Sequence, residues 1–147
     1  MNIEELEKRV RKLEDIEEIK MLHRQYVFWL ANRQFKEMLE LFTEDAIVNV
    51  GQHGLRKGKK EIAELFSDVL SKVVNKKDGH LVAQPIISVD GDRAKSQWIM
   101  YLFFPEPSAS WAQGKHDCEY VKENGKWKFS SVKFTRPWPE QIESLYS

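Results

Sequence analysis

Residues 120–129 read Tyr120-Val121-Lys122-Glu123-Asn124-Gly125-Lys126-Trp127-Lys128-Phe129. Asn-Gly is the pair that a two-residue hairpin turn prefers, because both of its central residues take positive φ. The stretch therefore predicts two antiparallel strands, Trp111 to Lys122 and Lys126 to Arg136, joined at Glu123-Asn124-Gly125. In the second strand the apolar residues change parity, from Trp127 and Phe129 to Val132 and Phe134. A bulge near Ser130-Ser131 would produce that change and would curl the sheet. Pro137 and Pro139 stop the strand, and residues 140–146 are expected to form a short terminal helix.

Upstream lie two more predicted strands, Leu81 to Val89 and Ala94 to Phe104, joined by Asp90-Gly91-Asp92. In Ala94 to Phe104 both alternating sets are apolar: Trp98, Met100, Leu102 and Phe104 on one side, Ile99, Tyr101 and Phe103 on the other. Something is therefore expected to cover each face. The convex face of such a curved sheet is a candidate dimer surface.

The first half of the chain has helical spacing. Ile3, Leu6, Val10, Leu13, Ile16, Ile19 and Leu22 recur every three or four residues and predict a helix over 3–31. Its first part is thin in apolar residues beyond that stripe, so it is expected to pack on a partner chain or across the domain. Met21 to Leu30, rich in aromatics, is the half expected to be buried. Asn32 is read as the cap of a second helix carrying Phe35, Met38, Leu39 and Phe42. Thr43-Glu44-Asp45 is read as a turn, Ala46 to Val50 as a short strand, residues 51–58 as a loop, and Lys59 to Val74 as a third helix. Helices first and a curled antiparallel sheet after them make an α+β domain spanning 1–147, a cone-shaped barrel with a pocket for a small apolar molecule.

Composition narrows the partners. The 147 residues hold 23 Lys plus Arg and 23 Asp plus Glu, and this balance argues against a nucleic-acid binder. Arg56, Lys57, Lys59 and Lys60 form a local basic run, read as a solvated loop. One cysteine, Cys118, allows no internal disulfide and fits a reducing compartment. The charged N-terminus does not read as a signal peptide, no apolar run reaches membrane-spanning length, and a cytoplasmic location is expected.

Several stretches together resemble the SnoaL-like group of the nuclear transport factor 2-like superfamily. They are Leu13-Glu14-Asp15-Ile16-Glu17-Glu18-Ile19-Lys20 followed by Tyr26, the run from Phe35 through Phe42-Thr43-Glu44-Asp45-Ala46 to Val50, Gly79-His80 before Val89-Asp90-Gly91-Asp92, and Tyr120 to Phe129 running on to Arg136. Within that group the chain is similar to bile acid 7α-dehydratases, scytalone dehydratase and hexachlorocyclohexane dehydrochlorinase, which are cofactor-free lyases. The resemblance implies a small-molecule pocket and no cofactor. The fold also hosts isomerases and members without catalysis, so fold alone does not give function.

The resemblance assigns His80, at the start of a strand, to the catalytic histidine, and an imidazole suits proton abstraction beside a carbonyl. Tyr26 matches a tyrosine on the first helix that could polarise a carbonyl, or be a core aromatic. Arg136 matches an arginine able to hold a substrate carboxylate or phosphate, or a surface acid. His116, in register with Gly114 and Cys118, would be a second titratable group if it points inward. Leu30, Val50, Phe66, Trp98, Met100, Leu102 and Cys118 are the expected pocket lining. His23 and His53 are assigned to a helix face and a loop, with no site role. The carboxylate that these lyases place on the first helix is replaced here by Ala31, and Trp98 to Phe103 brings no titratable group except Tyr101. The histidines show no metal-ligand spacing. The expected function is a cofactor-independent lyase or isomerase for an aromatic, polyketide or steroid-like substrate. The alternatives are a non-catalytic ligand-binding domain and an association module. A homo-oligomer, dimer or trimer, is expected.

Overall fold

The computed structural model describes residues 1–136, and the expected helix at 140–146 lies outside them. The first helix, α1, spans Ile3–Ala31. The Asn2 side chain accepts the backbone N–H of Glu5 at 2.9 Å and caps it. Its buried residues are Asp15, Ile19, His23, Tyr26, Val27 and Leu30. Ile3, Leu6, Val10 and Leu13 are instead exposed, at 75%, 53%, 46% and 64%. The apolar stripe of α1 therefore serves the core only in its second half.

The second helix is shorter than its pattern suggested. Asn32 closes α1 rather than opening the next element, and α2 covers only Phe35–Met38 before a 3₁₀ turn, Leu39–Leu41. Strand β1 then runs Phe42–Asn49, through the residues read as a turn. Phe42, Thr43, Ala46 and Val48 are buried, and a register break between Phe42 and Ile47 absorbs Glu44 and Asp45. The expected loop at 51–58 contains a 3₁₀ turn, Gly51–His53, and a short strand β2, Leu55–Lys57. Helix α3, Gly58–Glu64, passes through a π-helical stretch, Leu65–Leu70, into a last turn at Ser71–Val73.

Four long strands follow: β3 Gly79–Asp90, β4 Arg93–Phe104, β5 Ser110–Glu123 and β6 Lys126–Thr135. Asn124 and Gly125 both have positive φ, 50° and 77°, as the hairpin requires. The sheet order is β2-β1-β6-β5-β4-β3. β3 to β6 pair antiparallel, whereas β1 joins β6 in parallel. The sheet is curved and not closed. The β5–β6 register shifts where Ser131 faces Glu119 and Phe129 faces Tyr120, which is the expected bulge. A second irregularity lies in β3 between Ala83 and Ile86, where Gln84 has φ 51°.

The concave face and α1 enclose an aromatic centre. Phe129 lies 5.4 Å from Phe42 and 5.1 Å from Tyr120, centroid to centroid, and each such pair contributes about 0.5–1.5 kcal/mol beyond burial. At the far end Asp15 accepts the Trp127 indole N–H at 2.9 Å and the Lys122 ammonium at 3.0 Å, tying α1 to β5 and β6. The outer face is only partly covered: Phe103 is 46% exposed, and Ile99 and Tyr101 are half-buried.

Candidate active site

The strand registers gather the expected residues at one end of the sheet. Val50 follows the end of β1, Arg136 follows β6, Gly114 faces Met100, and His80 faces Leu102. Alternation along β5 turns Gly114, His116, Cys118 and Tyr120 inward and leaves Asp117 outward, where it accepts the Gln97 amide at 3.1 Å. Gly114 is needed there. A Cβ on it would stand 2.4 Å from the Phe134 ring and 2.8 Å from the Thr135 carbonyl oxygen.

His80 opens β3 beside Gly79, whose missing Cβ leaves room for the Phe103 side chain at 3.2 Å. The ring is half-buried, and its Nδ1 is buried without a hydrogen-bond partner. Burial lowers its pKa, opposed by the Asp78 carboxylate. Arg136 is exposed at the rim.

His23 lies on the inner face of α1 and is fully buried. Its signal was in the sequence, since Ile19, His23, Tyr26 and Leu30 share one face at spacings of four, three and four. His23 stacks on Trp98 at 4.2 Å and bridges two partners. Its Nδ1 lies 3.1 Å from the Tyr120 hydroxyl and its Nε2 lies 3.2 Å from His116 Nδ1. The Tyr120 oxygen in turn lies 2.6 Å from Ser96 Oγ, which accepts the Trp98 indole N–H at 2.9 Å.

This chain has two self-consistent proton arrangements. In one, Ser96 donates to Tyr120, Tyr120 to His23, and His23 to His116, so His116 Nε2 carries a proton. In the other, His116 donates to His23, His23 to Tyr120, and Tyr120 to Ser96, so His116 Nε2 presents a lone pair. Both arrangements are overall neutral, which a dry interior favours. The groups are held neutral. Burial drives the His23 pKa well below its usual value, with His116 adding to the effect. It takes His116 down to about 4, Cys118 up to about 12, and Tyr26 above the ordinary phenol range. Among the described residues Asp15 is the buried carboxylate, and it is committed at the opposite end. At this end the buried titratable groups among the described residues are imidazoles, phenols and the Cys118 thiol.

His23, His116 and Cys118 bring ligand atoms within 4.8 Å of one another, a juxtaposition that sequence spacing did not reveal. Hydrogen bonds already engage both nitrogens of His23 and Nδ1 of His116. The trio is thus satisfied as a neutral network. Of the expected lining, Leu30, Phe66, Trp98, Met100, Leu102 and Cys118 are buried in the packed interior, and Val50 is half-buried at its edge. A concavity of about 390 Å³ lies elsewhere, on the outer face beside Ile86, Lys95, Asp117 and Lys133. No helix among the described residues is long and apolar enough to cross a membrane.

Residues 11–133 match the SnoaL-like domain family. No curated protein gives a significant match. Among solved structures, a nuclear transport factor 2-like protein with a cystatin-like fold from Novosphingobium aromaticivorans is 19% identical, with 99% of this chain and 97% of that one covered and a TM-score of 0.83. A protein provisionally assigned as a scytalone dehydratase from the same organism is 18% identical over 84% of this chain and 85% of that one, TM-score 0.74. The hexachlorocyclohexane dehydrochlorinase LinA-type3 of Novosphingobium barchaimii is 18% identical over 88% and 91%, TM-score 0.78. At these identities the likeness shows the fold.

Proposed function

The chain belongs to the SnoaL-like family, and from that premise we propose that it is a cofactor-independent lyase or isomerase. One observation carries the reading: His80 Nδ1 is buried at the site end of the sheet and is not spent on any hydrogen bond. A buried nitrogen left without a partner costs stability, and its lowered pKa keeps it an unprotonated base at neutral pH. In an elimination, His80 takes a proton from carbon, the carbon–carbon double bond forms, the leaving group departs with its bonding electron pair, and the proton on His80 is then released with it. His116, at the end of the internal hydrogen-bond chain, can hydrogen-bond the departing group as a neutral N–H donor. Tyr26 presents a phenol that stays protonated, and Arg136 at the rim anchors an anionic substrate group. The apolar surroundings suit an aromatic, polyketide or steroid-like body.

The test is turnover of hydroxylated and halogenated cyclic substrates by wild type and His80→Ala. Loss of activity in a folded variant supports the assignment, and undiminished activity refutes it. A non-catalytic ligand-binding domain is the second reading, favoured by the tight packing of Phe66, Met100 and Leu102. Thermal stabilisation by hydrophobic ligands, equal in wild type and His80→Ala and without turnover, would select it.

A further inference from the structure

Independently of the site chemistry, the exposed start of α1 has the composition of an interface. Ile3, Leu6, Val10 and Leu13 are separated by three, four and three residues, which is the a-d-a-d spacing of a coiled coil. The a positions, Ile3 and Val10, are β-branched and the d positions, Leu6 and Leu13, are leucine. This combination favours two parallel strands.

None of the described residues of the domain covers the seam. Asp15 is the first residue of α1 to be buried, and it falls at the f position of the same heptad, across the helix from a and d. The helix thus turns its back on the sheet where the seam begins. A shallow concavity of about 270 Å³ runs along it between Ile3, Leu6, Glu7, Val10, Arg11 and Glu14. The seam ends where α1 enters the domain, since the next a and d positions are Glu17 and Lys20.

Charge selects the occupant. With Ile3 at a, Arg9 falls at g and Glu14 at the following e. In a parallel pair of identical helices, g of one chain faces the next e of the other, so Arg9 meets Glu14 twice. In an antiparallel pair e faces e, and Glu7 would meet Glu14. We propose that residues 3–14 of α1 pair with the same residues of a second copy of this chain as a parallel two-stranded coiled coil, placing both domains at the same end.

Sedimentation of the full chain over a concentration series tests this. Wild type is expected to form a dimer, and Leu6→Glu with Leu13→Glu to weaken it by about ten-thousandfold or more, because the two copies together lose four buried leucines. These side chains are exposed in the monomer, so the melting of the dilute protein should not change. Arg9→Glu or Glu14→Arg alone should weaken the dimer about five-fold, and the two together should restore it. Leu13→Cys should give a disulfide-linked dimer on mild oxidation. A monomeric wild type, a trimer, a dimer indifferent to the Leu6 and Leu13 changes, or failure of Leu13→Cys to cross-link overturns the proposal.

Discussion

Nε2 of His23 lies 3.2 Å from Nδ1 of His116, and one proton serves both nitrogens. Protonating both rings would aim two N–H groups at each other in a buried space. Geometry therefore bars the doubly protonated pair, and desolvation opposes a single added charge. The Asp117 carboxylate favours a charge on His116, but burial outweighs it.

Stability should consequently fall in mild acid. His116 titrates near 4 when folded and near its ordinary 6.5 when unfolded. Between those values the unfolded chain binds more protons than the native one, so stability rises with pH. The contribution is complete above 6.5 and is lost as pH falls to about 4. It amounts to about 3 kcal/mol for His116, and His23 acts in the same direction. Urea denaturation across this range should show the slope, and His116→Gln should flatten it.

Replacing His23 should damage the fold. His23→Ala removes a fully buried ring and strips partners from Tyr120 and His116. The expected loss is about 2–4 kcal/mol, measured by chemical denaturation. A loss below 1 kcal/mol would mean that the ring is not part of the core.

His80→Ala should behave in the opposite way. Its Nδ1 has no partner to lose, so stability should change by less than about 1 kcal/mol or rise slightly. Differential scanning calorimetry beside an activity assay separates this outcome from a structural role. A large fall in melting temperature would contradict it.

Gly114→Ala should cost about 1–3 kcal/mol. The new Cβ meets not only the Phe134 ring, which can rotate, but also the Thr135 carbonyl oxygen at 2.8 Å, which belongs to backbone. The variant should also loosen Phe134 from His116, whose rings now lie 5.7 Å apart. Thermal melts and the His116 ring resonances report the two effects.

Asp15→Ala should leave the buried Trp127 indole N–H without an acceptor, at a cost of about 1–3 kcal/mol. Asp15→Asn keeps an acceptor oxygen and should cost less. Equilibrium unfolding followed by Trp fluorescence distinguishes the two variants.

Much of this was legible in the sequence because strands alternate. Once Asn124-Gly125 fixed the hairpin, alternation put Gly114, His116 and Cys118 on one face and Asp117 on the other, and the parity change after Phe129 located the bulge; that the His116 face is the inner one is seen in the structure. Helical spacing was less informative. The stripe of α1 is unbroken from Ile3 to Leu22, and only the thin composition of its first part sets that half apart from the aromatic-rich half that the core receives. His23 was overlooked because a polar residue on an apolar stripe finds its partners, here Tyr120 and His116, some hundred residues away. β2 carries one apolar residue in three, and Thr43 to Asp45 have turn chemistry that burial of Phe42 and Thr43 overrides. The helical pattern of 59–74 did not show the widened turn at Leu65–Leu70.

An unclosed sheet has two rims of unpaired backbone groups, and rims of that kind recruit further strands into aggregates. Here one rim is β2, three residues long. The other is β3, where the irregularity around Gln84 coincides with Pro85, a residue that has no N–H to offer an incoming strand. Neither rim presents a long regular template. Edge-to-edge pairing is thereby disfavoured, and a substitution such as Pro85→Val, which restores the donor, is expected to lower solubility before it alters the fold.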